Sequence, residues 1–285
     1  MTTMTNLLGK LPVRQALLHL VLFSIGLFML YPLIWLVLGS FKSSIGIFSD
    51  RLWPTEWVPE NYKQGWWGIP SMRFNIFFLN SAVLSLIVVV GNVASASLVA
   101  FAFARLNFAL KSVWFAIMML TMMIPAQVTL IPQYVLFHAL GWVNTYLPLI
   151  IPHFLGATPF FTFLLIQFIR GVPRELDEAA TIDGCGTFSV FWRIVMPLCG
   201  PALITVAIFS FIWTWDDFFG QLIYINDVKK YTVPLGLRLF IDSTGNSDWG
   251  PMLAMSVLSL LPNFIIFLTC QKYFVQGIVT SGLKG

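Results

Sequence analysis

The sequence predicts an all-α integral membrane protein with six transmembrane helices and a single membrane domain covering residues 1–285. Hydrophobic residues make up 58% of the chain, charged residues only 10%, and the mean hydropathy is +0.84. Soluble domains carry about 25% charged residues, so this composition is typical of a membrane protein. The net charge of +4 is spread along the chain without a basic run, and nucleic acid is therefore not an expected partner.

Charged residues are so sparse that the intervals between them outline the spans, because about 20 apolar residues cross a hydrocarbon core of about 30 Å. Four intervals of 22 to 31 uncharged residues each suit one helix, and the 58 residues between Lys111 and Arg170 suit two. The middle of that interval, HALGWVNTYLP, contains the Gly, Asn and Pro of a turn. The six predicted spans are residues 16–38, 76–103, 113–136, 146–168, 198–222 and 251–271.

The first span follows Lys10 and Arg14, as a signal peptide would. Its apolar run is longer than the 7 to 15 residues of a signal sequence and no small-residue cleavage site follows it, so we expect a retained helix. The third and fourth spans contain five prolines, each of which tends to kink its helix. Bent helices suit alternating access but are also common in membrane bundles, so the prolines leave the mechanism open.

With six spans both termini lie on one side of the membrane. That side carries nine Lys and Arg residues and the opposite side seven, an excess that favours cytoplasmic termini. The three cysteines, Cys185, Cys199 and Cys270, are predicted at or near the same face. Free thiols suit a reducing compartment, so we expect a multi-pass protein of the cytoplasmic membrane.

The loop between the fourth and fifth spans, residues 170–197, is predicted to form two short helices with a glycine joint. Pro173 suits a first helical position, and acidic residues follow it in the first turn, where the helix dipole favours negative charge. Gly184 and Gly186 are expected to end this first helix. Beyond them helical spacing predicts an apolar stripe on one face, formed by Phe188, Phe191, Trp192 and Val195. The pattern suits either a connector lying on lipid headgroups or a helix inserted into a groove on a soluble partner.

This loop also carries a family resemblance. Glu178-Ala179-Ala180, Gly184 six residues after the glutamate, then Ile194 and Pro197, resemble the EAA loop of permease subunits in ATP-driven bacterial importers. We call residues 170–197 the EAA segment. The resemblance implies that the segment docks into a cleft on an ATPase subunit, with the contacts made by Glu178, Ala179, Ala180, Asp183, Gly184 and Phe188. Residues 173–176, PREL, and Asp183-Gly184 resemble the carbohydrate branch of the family, whereas Met196 and Cys185 depart from its usual Leu and small residue.

The resemblance extends from about Leu30 to the end of the chain. The last 15 residues, QKYFVQGIVTSGLKG, are similar to the end of the maltose-type second permease subunit. This similarity implies that Ser281, Gly282 and Lys284 contact the ATPase pair; the alternative is a disordered terminus, which is common.

The family further implies a set of partners: a second permease subunit, two ATPase subunits that carry ATP and Mg²⁺, an extracytoplasmic solute-binding protein and membrane lipid. The chain would form half of the translocation path for a sugar or sugar derivative. It is not expected to be an enzyme or to bind ATP, a cofactor or a metal itself. No phosphate-binding GxxxxGK[ST] motif is present, and the three histidines, His19, His138 and His153, lack ligand spacing.

The fifth span contains the candidate solute path, which comprises Trp213, Trp215, Asp216 and Asp217. A charge at the bilayer centre costs about 2.5 to 3.5 kcal/mol on insertion scales, so two adjacent acids require an explanation. Asp216 lies 19 residues beyond Pro197, which is about 28 Å along a helix and places it in the outer half of the span or at the interface.

Because residues 218–224 continue apolar, the acids are not expected at the helix end. In the resembling family an Asn occupies the position of Asp216, in a region that lines the pore. Carboxylates accept hydrogen bonds from sugar hydroxyls and an indole stacks on a sugar, so the set suits a transit site; hydrated acids at the outer interface are the alternative. A rival hypothesis is a self-contained channel or secondary transporter that uses Asp216 and Asp217 as its ion site.

Overall fold

Helices form all the regular structure in the computed structural model, within the residues it describes, 13–67, 72–156, 158–241 and 247–282. In those ranges there are no β-strands. The helices are, in chain order, α1 (Val13–Gly39), α2 (Glu60–Trp67), α3 (Phe74–Arg105), α4 (Lys111–Thr121), α5 (Ala126–Ala139), α6 (Leu147–Leu155), α7 (Pro159–Gly171), α8 (Glu175–Ile182), α9 (Thr187–Val190), α10 (Met196–Leu198), α11 (Gly200–Trp215), α12 (Phe219–Tyr224), α13 (Val233–Arg238) and α14 (Trp249–Gly282). A π-turn, Phe191–Val195, joins α9 to α10.

Four stretches are long and apolar enough to cross a membrane, and they overlap the predicted first, second, fourth and sixth spans. They are Gln15–Gly39, Phe74–Arg105, Leu147–Gly171 and Trp249–Gln271. The third of these contains both α6 and α7, which are separated because Gly156 has extended backbone and Pro159 begins the next helix. The charge-free intervals, together with the turn in residues 138–148, therefore predicted the positions of these four candidate spans.

The predicted third span, 113–136, does not form one unbroken helix. α4 ends at Thr121 after 11 residues and α5 begins at Ala126. Pro125 has non-helical backbone, with φ −59° and ψ 133°, and it has no N–H to donate to the preceding turn. Pro132, by contrast, lies inside α5 without ending it.

The predicted extent of the fifth span, 198–222, is also wrong, and the two acids do mark the helix end. α11 stops at Trp215, and Asp217 accepts a hydrogen bond at Oδ1 from the Gly220 N–H at 3.1 Å. Such a local side-chain bond competes with continuation of the helix. α11 forms a candidate span only together with Thr187–Leu198, which meets it at a bend of 79°. The described residues thus contain four candidate spans, or five with the bent pair, and the count of six stays a prediction.

The chain divides into two units, and the larger consists of Trp67–Leu239 with Ser259–Gly285. Its central helix is α3, which packs against α6, α7 and α11. The packed face of α3 carries large apolar side chains at its beginning, such as Phe77, and small residues in its middle, such as Gly91 and Ala96. Small residues at a membrane helix interface allow neighbouring backbones to approach closely.

The smaller unit consists of Met1–Trp66 with Phe240–Leu258. Asn61, in α2, is buried and donates through Nδ2 to the carbonyls of Ser40 and Lys42, both at 2.8 Å. A Cβ added at Gly65 would lie 2.8 Å from Cγ of Met255, so α2 requires glycine where it meets the first half of α14.

Candidate functional site

The first half of the EAA segment is a short helix with a glycine joint, as predicted. α8 carries Asp177 and two glutamates in its first turn, and it begins at Glu175, two residues later than the position predicted from Pro173. Gly184 has a φ of +85°, a left-handed conformation that side chains other than glycine adopt at a cost. The Cys185 N–H then donates to the Ala180 carbonyl at 2.9 Å, so this carbonyl in the last turn of the helix has a hydrogen-bond partner.

The second half of the segment does not present the predicted apolar stripe. Phe191 and Val195 are buried, whereas Phe188 is 71% exposed and Trp192 is also exposed. A π-turn interrupts the regular helix from Phe191 onwards, and in it the Met196 N–H donates to the Phe191 carbonyl five residues earlier. This wider turn breaks the 3.6-residue period on which the stripe was predicted.

The residues predicted to contact an ATPase divide into one buried and five exposed positions. Ala180 is buried in the cluster that contains Val190 and Phe191. The exposed positions are Glu178, Ala179, Asp183, Gly184 and Phe188. Ile182, which the sequence did not single out, is 87% exposed beside them. The segment thus presents acidic, small and apolar side chains together on its outer face.

Arg105, the last residue of α3, forms an ion pair with Asp177 of α8. The Arg105 Nε to Asp177 Oδ2 distance is 2.7 Å, and the two side chains are 5% and 19% exposed. Arg105 also donates through Nη2 to the Val172 carbonyl at 2.8 Å. No partner was predicted for Arg105 from the sequence. The available signal was a basic residue at the end of a span and acids in a later loop. Because Arg105 and Asp177 are 72 positions apart, the sequence alone could not identify them as partners.

The two tryptophans of the candidate solute path have different environments. Trp215 is buried at 3% exposure, with its indole N–H donating to the Ser259 carbonyl at 3.1 Å and its ring stacked on Phe211. Trp213 is half exposed, and its ring stacks on Phe161 with the centroids 5.0 Å apart. Of the two indoles, only Trp213 offers a ring surface that the described residues leave open.

The two acids also have separate roles in the structure. Asp216 is exposed, and both of its carboxylate oxygens accept hydrogen bonds from Nδ2 of Asn263, at 3.0 and 3.2 Å. Asp217 is partly buried and directs its carboxylate to the start of α12. Sequence analysis missed Asn263, although an Asn inside an apolar span is a signal, because polar groups there usually bind a partner on a neighbouring helix.

His153 belongs to a polar network around the buried side chain of Asn92. Its Nδ1 lies 3.1 Å from Oδ1 of Asn92, which also accepts a hydrogen bond from the Thr158 hydroxyl at 2.7 Å. The oxygen of an amide only accepts, so the His153 Nδ1 carries the proton in this contact. The network lies where α6 and α7 are interrupted.

The predicted tail contacts cannot be placed. The backbone of α14 runs to Gly282, but the side chain of Ser281 and all of Lys284 lie outside the described residues.

Residues 93–279 match the family described as binding-protein-dependent transport system inner membrane component. The chain is 36% identical over 257 residues to the probable ABC transporter permease protein YurM of Bacillus subtilis, covering 90% of this chain and 84% of that protein. It is 32% identical over 278 residues to the trehalose/maltose transport system permease protein MalG of Thermococcus litoralis, covering 95% and 99%.

Among solved structures, a chain of a bacterial ABC transporter involved in the import of the acidic polysaccharide alginate has a TM-score of 0.79. The match covers 92% of this chain and 96% of that chain at 20% identity, so it supports the fold alone. The family match covers more than half of the sequence, and the alignments cover 84% and 99% of the two relatives. The chain therefore belongs to the family of inner-membrane components of binding-protein-dependent transport systems.

Proposed function

We propose that this chain is the permease subunit of an ATP-driven importer for a sugar or sugar derivative and forms half of its translocation path. The remaining subunits would be a second, similar permease, two ATPase subunits that hold ATP and Mg²⁺, and an extracytoplasmic solute-binding protein. Both termini and the EAA segment would face the cytoplasm. The trehalose/maltose relative and the resemblance of the EAA segment to the carbohydrate branch support the sugar class.

The observation that carries the proposal is the exposed face of the EAA segment. Ile182 and Phe188 are 87% and 71% exposed, and Trp192 is exposed as well, whereas Phe191 and Val195 of the same segment are buried. Exposed apolar side chains beside acids, presented by a short helix that a glycine joint terminates, suit insertion into a groove of a protein partner. A lipid-facing connector would not require the acids Glu178 and Asp183 on the same face.

Copurification tests the docking. Ala179 is exposed and helical, so Ala179→Trp adds bulk without backbone strain and should abolish most ATPase association. Gly184→Trp should do the same. Gly184→Ala is its control: no atom lies within 4 Å of an added Cβ, but φ is +85°, so Ala tests strain without bulk.

We expect Gly184→Ala to retain more of the ATPase than Gly184→Trp, with equal amounts of permease in the membrane. Normal ATPase recovery by both tryptophan variants would refute docking through this face. Transport by the purified chain alone, driven by an ion gradient in liposomes, would favour a secondary transporter.

We further propose that Asp216 contacts the solute in transit, with Trp213 as a neighbouring apolar surface. Asp216 is exposed and its carboxylate is oriented by Asn263, an arrangement that leaves acceptor capacity for sugar hydroxyls. Asp217 and Trp215 instead have structural roles. Asp217 accepts a hydrogen bond from the Gly220 N–H, and Trp215 is buried.

Asp216→Ala should therefore reduce uptake severely and leave assembly and basal ATP hydrolysis intact. Asp216→Asn, which keeps the shape and restores the amide found in the family, should retain more uptake than Ala. Full uptake by Asp216→Ala, or loss of the assembled complex, would contradict a role in the path.

A further inference from the structure

The EAA segment is attached to α3 at two points that lie one helical turn apart. Arg105 of α3 pairs with Asp177 in the first half of the segment. Phe101 of α3 contacts Phe191 in the second half, edge to face, with ring centroids 5.3 Å apart. Residues i and i+4 of a helix lie on the same face, so one face at the end of α3 holds both halves of the helix–glycine–helix.

The polar attachment consists of bonds from α3 to the EAA segment and of a bond from the segment back to α3. Arg105 binds the carboxylate of Asp177 and the carbonyl of Val172, while Arg174, just before α8, donates to the carbonyl of Ala104 at 3.3 Å. The guanidinium of Arg105 is almost fully removed from water. Charge interactions are stronger at such a buried position than at an exposed surface. A planar guanidinium also fixes direction, because its N–H groups form a rigid fork. The EAA segment is thus held in a defined orientation on α3.

The other end of α3 contacts α11 next to the candidate solute path. The Phe78 ring meets the Trp215 ring edge to face, with the centroids 5.8 Å apart, and Trp215 precedes Asp216. In the middle of the helix, Asn92 donates to Ser210 of α11. Phe78 and Arg105 are separated by about 40 Å along an α-helix, so one continuous helix contacts both functional regions.

We propose that Arg105 is the positioning residue through which movement of the docked EAA segment displaces α3. This inference rests on the proposed function, because it requires an ATPase subunit at the segment. Loss of Arg105 should leave the exposed docking face intact, since that face is formed by Ala179, Ile182 and Phe188 on the outer side. Without Arg105, we expect nucleotide to act on the docked EAA segment as before, but α3 no longer to move with the segment.

The test uses the assembled complex in liposomes, with MgATP and vanadate as the probe. A spin label at Leu79, an exposed position of α3, reports movement of the helix, after Cys185 and Cys270 have been replaced by Ser. We expect the label spectrum of the parent complex to change on trapping with vanadate. In Arg105→Ala the fraction of label that responds should fall by about tenfold, a factor equivalent to 1.4 kcal/mol, while ATPase copurification and MgATP hydrolysis persist.

Matched variants separate this role from a general loss of charge or stability. Asp177→Asn should reproduce the effect, whereas Glu175→Gln, which removes another acid from the same turn, should not. Arg105→Lys should restore part of the response, and Lys111→Gln should leave it unchanged. A full response in Arg105→Ala or Asp177→Asn, an equal loss in Glu175→Gln, or the absence of any response in the parent complex would overturn the proposal. Failure of the parent chain to retain an ATPase would instead refute the proposed function.

Discussion

The side-chain amide of Asn92 on α3 donates a hydrogen bond to the hydroxyl of Ser210 on α11, at 2.8 Å and with both residues buried. The oxygen of the Asn92 amide also accepts a hydrogen bond from the Thr158 hydroxyl, just before α7. Truncation of Asn92 therefore leaves both hydroxyl groups without this partner. We expect Asn92→Ala to lower the free energy of unfolding by about 1 to 2 kcal/mol, measured as thermal unfolding in detergent. Ser97→Ala is the control, since the Ser97 hydroxyl bonds only within α3, to the Ala94 carbonyl. Equal effects of the two substitutions would contradict an interhelical role.

Gly91 permits the close approach of α3 and α6. A Cβ added there would lie 2.7 Å from the Phe154 ring and 3.3 Å from a backbone carbon of His153. We expect Gly91→Ala to destabilise the fold by about 1 to 3 kcal/mol, the usual cost of overpacking. Gly26→Ala, in α1, meets no atom within 4 Å, so its effect should stay within about 1 kcal/mol. Thermal unfolding in detergent measures both, and tolerance of Gly91→Ala would show that α6 can move away.

Asn144 stabilises the loop between α5 and α6 by backbone conformation and side-chain bonding together. Its φ is +62°, and its Oδ1 accepts from the N–H groups of Asn226 and Asp227 at 3.2 and 2.9 Å. Asn144→Gly keeps the conformation and loses the two bonds, with an expected cost of about 1 to 2 kcal/mol. Asn144→Ala should cost about 1 kcal/mol more, because alanine is disfavoured in the left-handed region. The midpoint of thermal unfolding should follow that order, and equal midpoints for Gly and Ala would exclude a conformational contribution.

The end of the chain is predicted to contact the ATPase pair. Deletion of residues 281–285 should then lower solute-stimulated ATP hydrolysis while the complex still assembles. A variant of unchanged length, with these five residues replaced by alternating Gly and Ser, distinguishes the sequence of the tail from its mere presence. Stimulated hydrolysis equal to that of the parent complex would support the alternative, a tail without a contact.

Charged residues marked both ends of the second span in the sequence. Arg73 and Arg105 enclose α3 almost residue for residue, because charged side chains are excluded from the hydrocarbon. A break within a helix that involves no charged residue cannot be located in this way. Pro125 ends one helix and Pro132 does not, so the outcome at each proline depends on neighbouring contacts that the sequence does not specify. Asp217 was misjudged for a related reason: its bond to Gly220 turned an acid within an apolar stretch into a helix terminator.

Local chemistry predicted the joint of the EAA segment but not the faces of its helices. The glycine at 184 was expected to end α8, and its φ of +85° confirms this. The exposure of Trp192 next to the buried Phe191 accompanies a π-turn, which no residue type dictates. The partners Arg105 and Asn263 were missed because both bonds join residues far apart in sequence, to Asp177 and Asp216 respectively.

The partial exposure of Cys185 gives the protein a built-in reporter. Its thiol lies at the joint of the EAA segment, while Cys199 at the start of α11 is fully buried. A maleimide dye should therefore react with the first thiol and spare the second, and replacement of Cys270, which is also partly exposed, would leave one labelled position. A subunit seated on the segment should protect that thiol, so the labelling rate in intact membranes would follow association and release without an introduced residue.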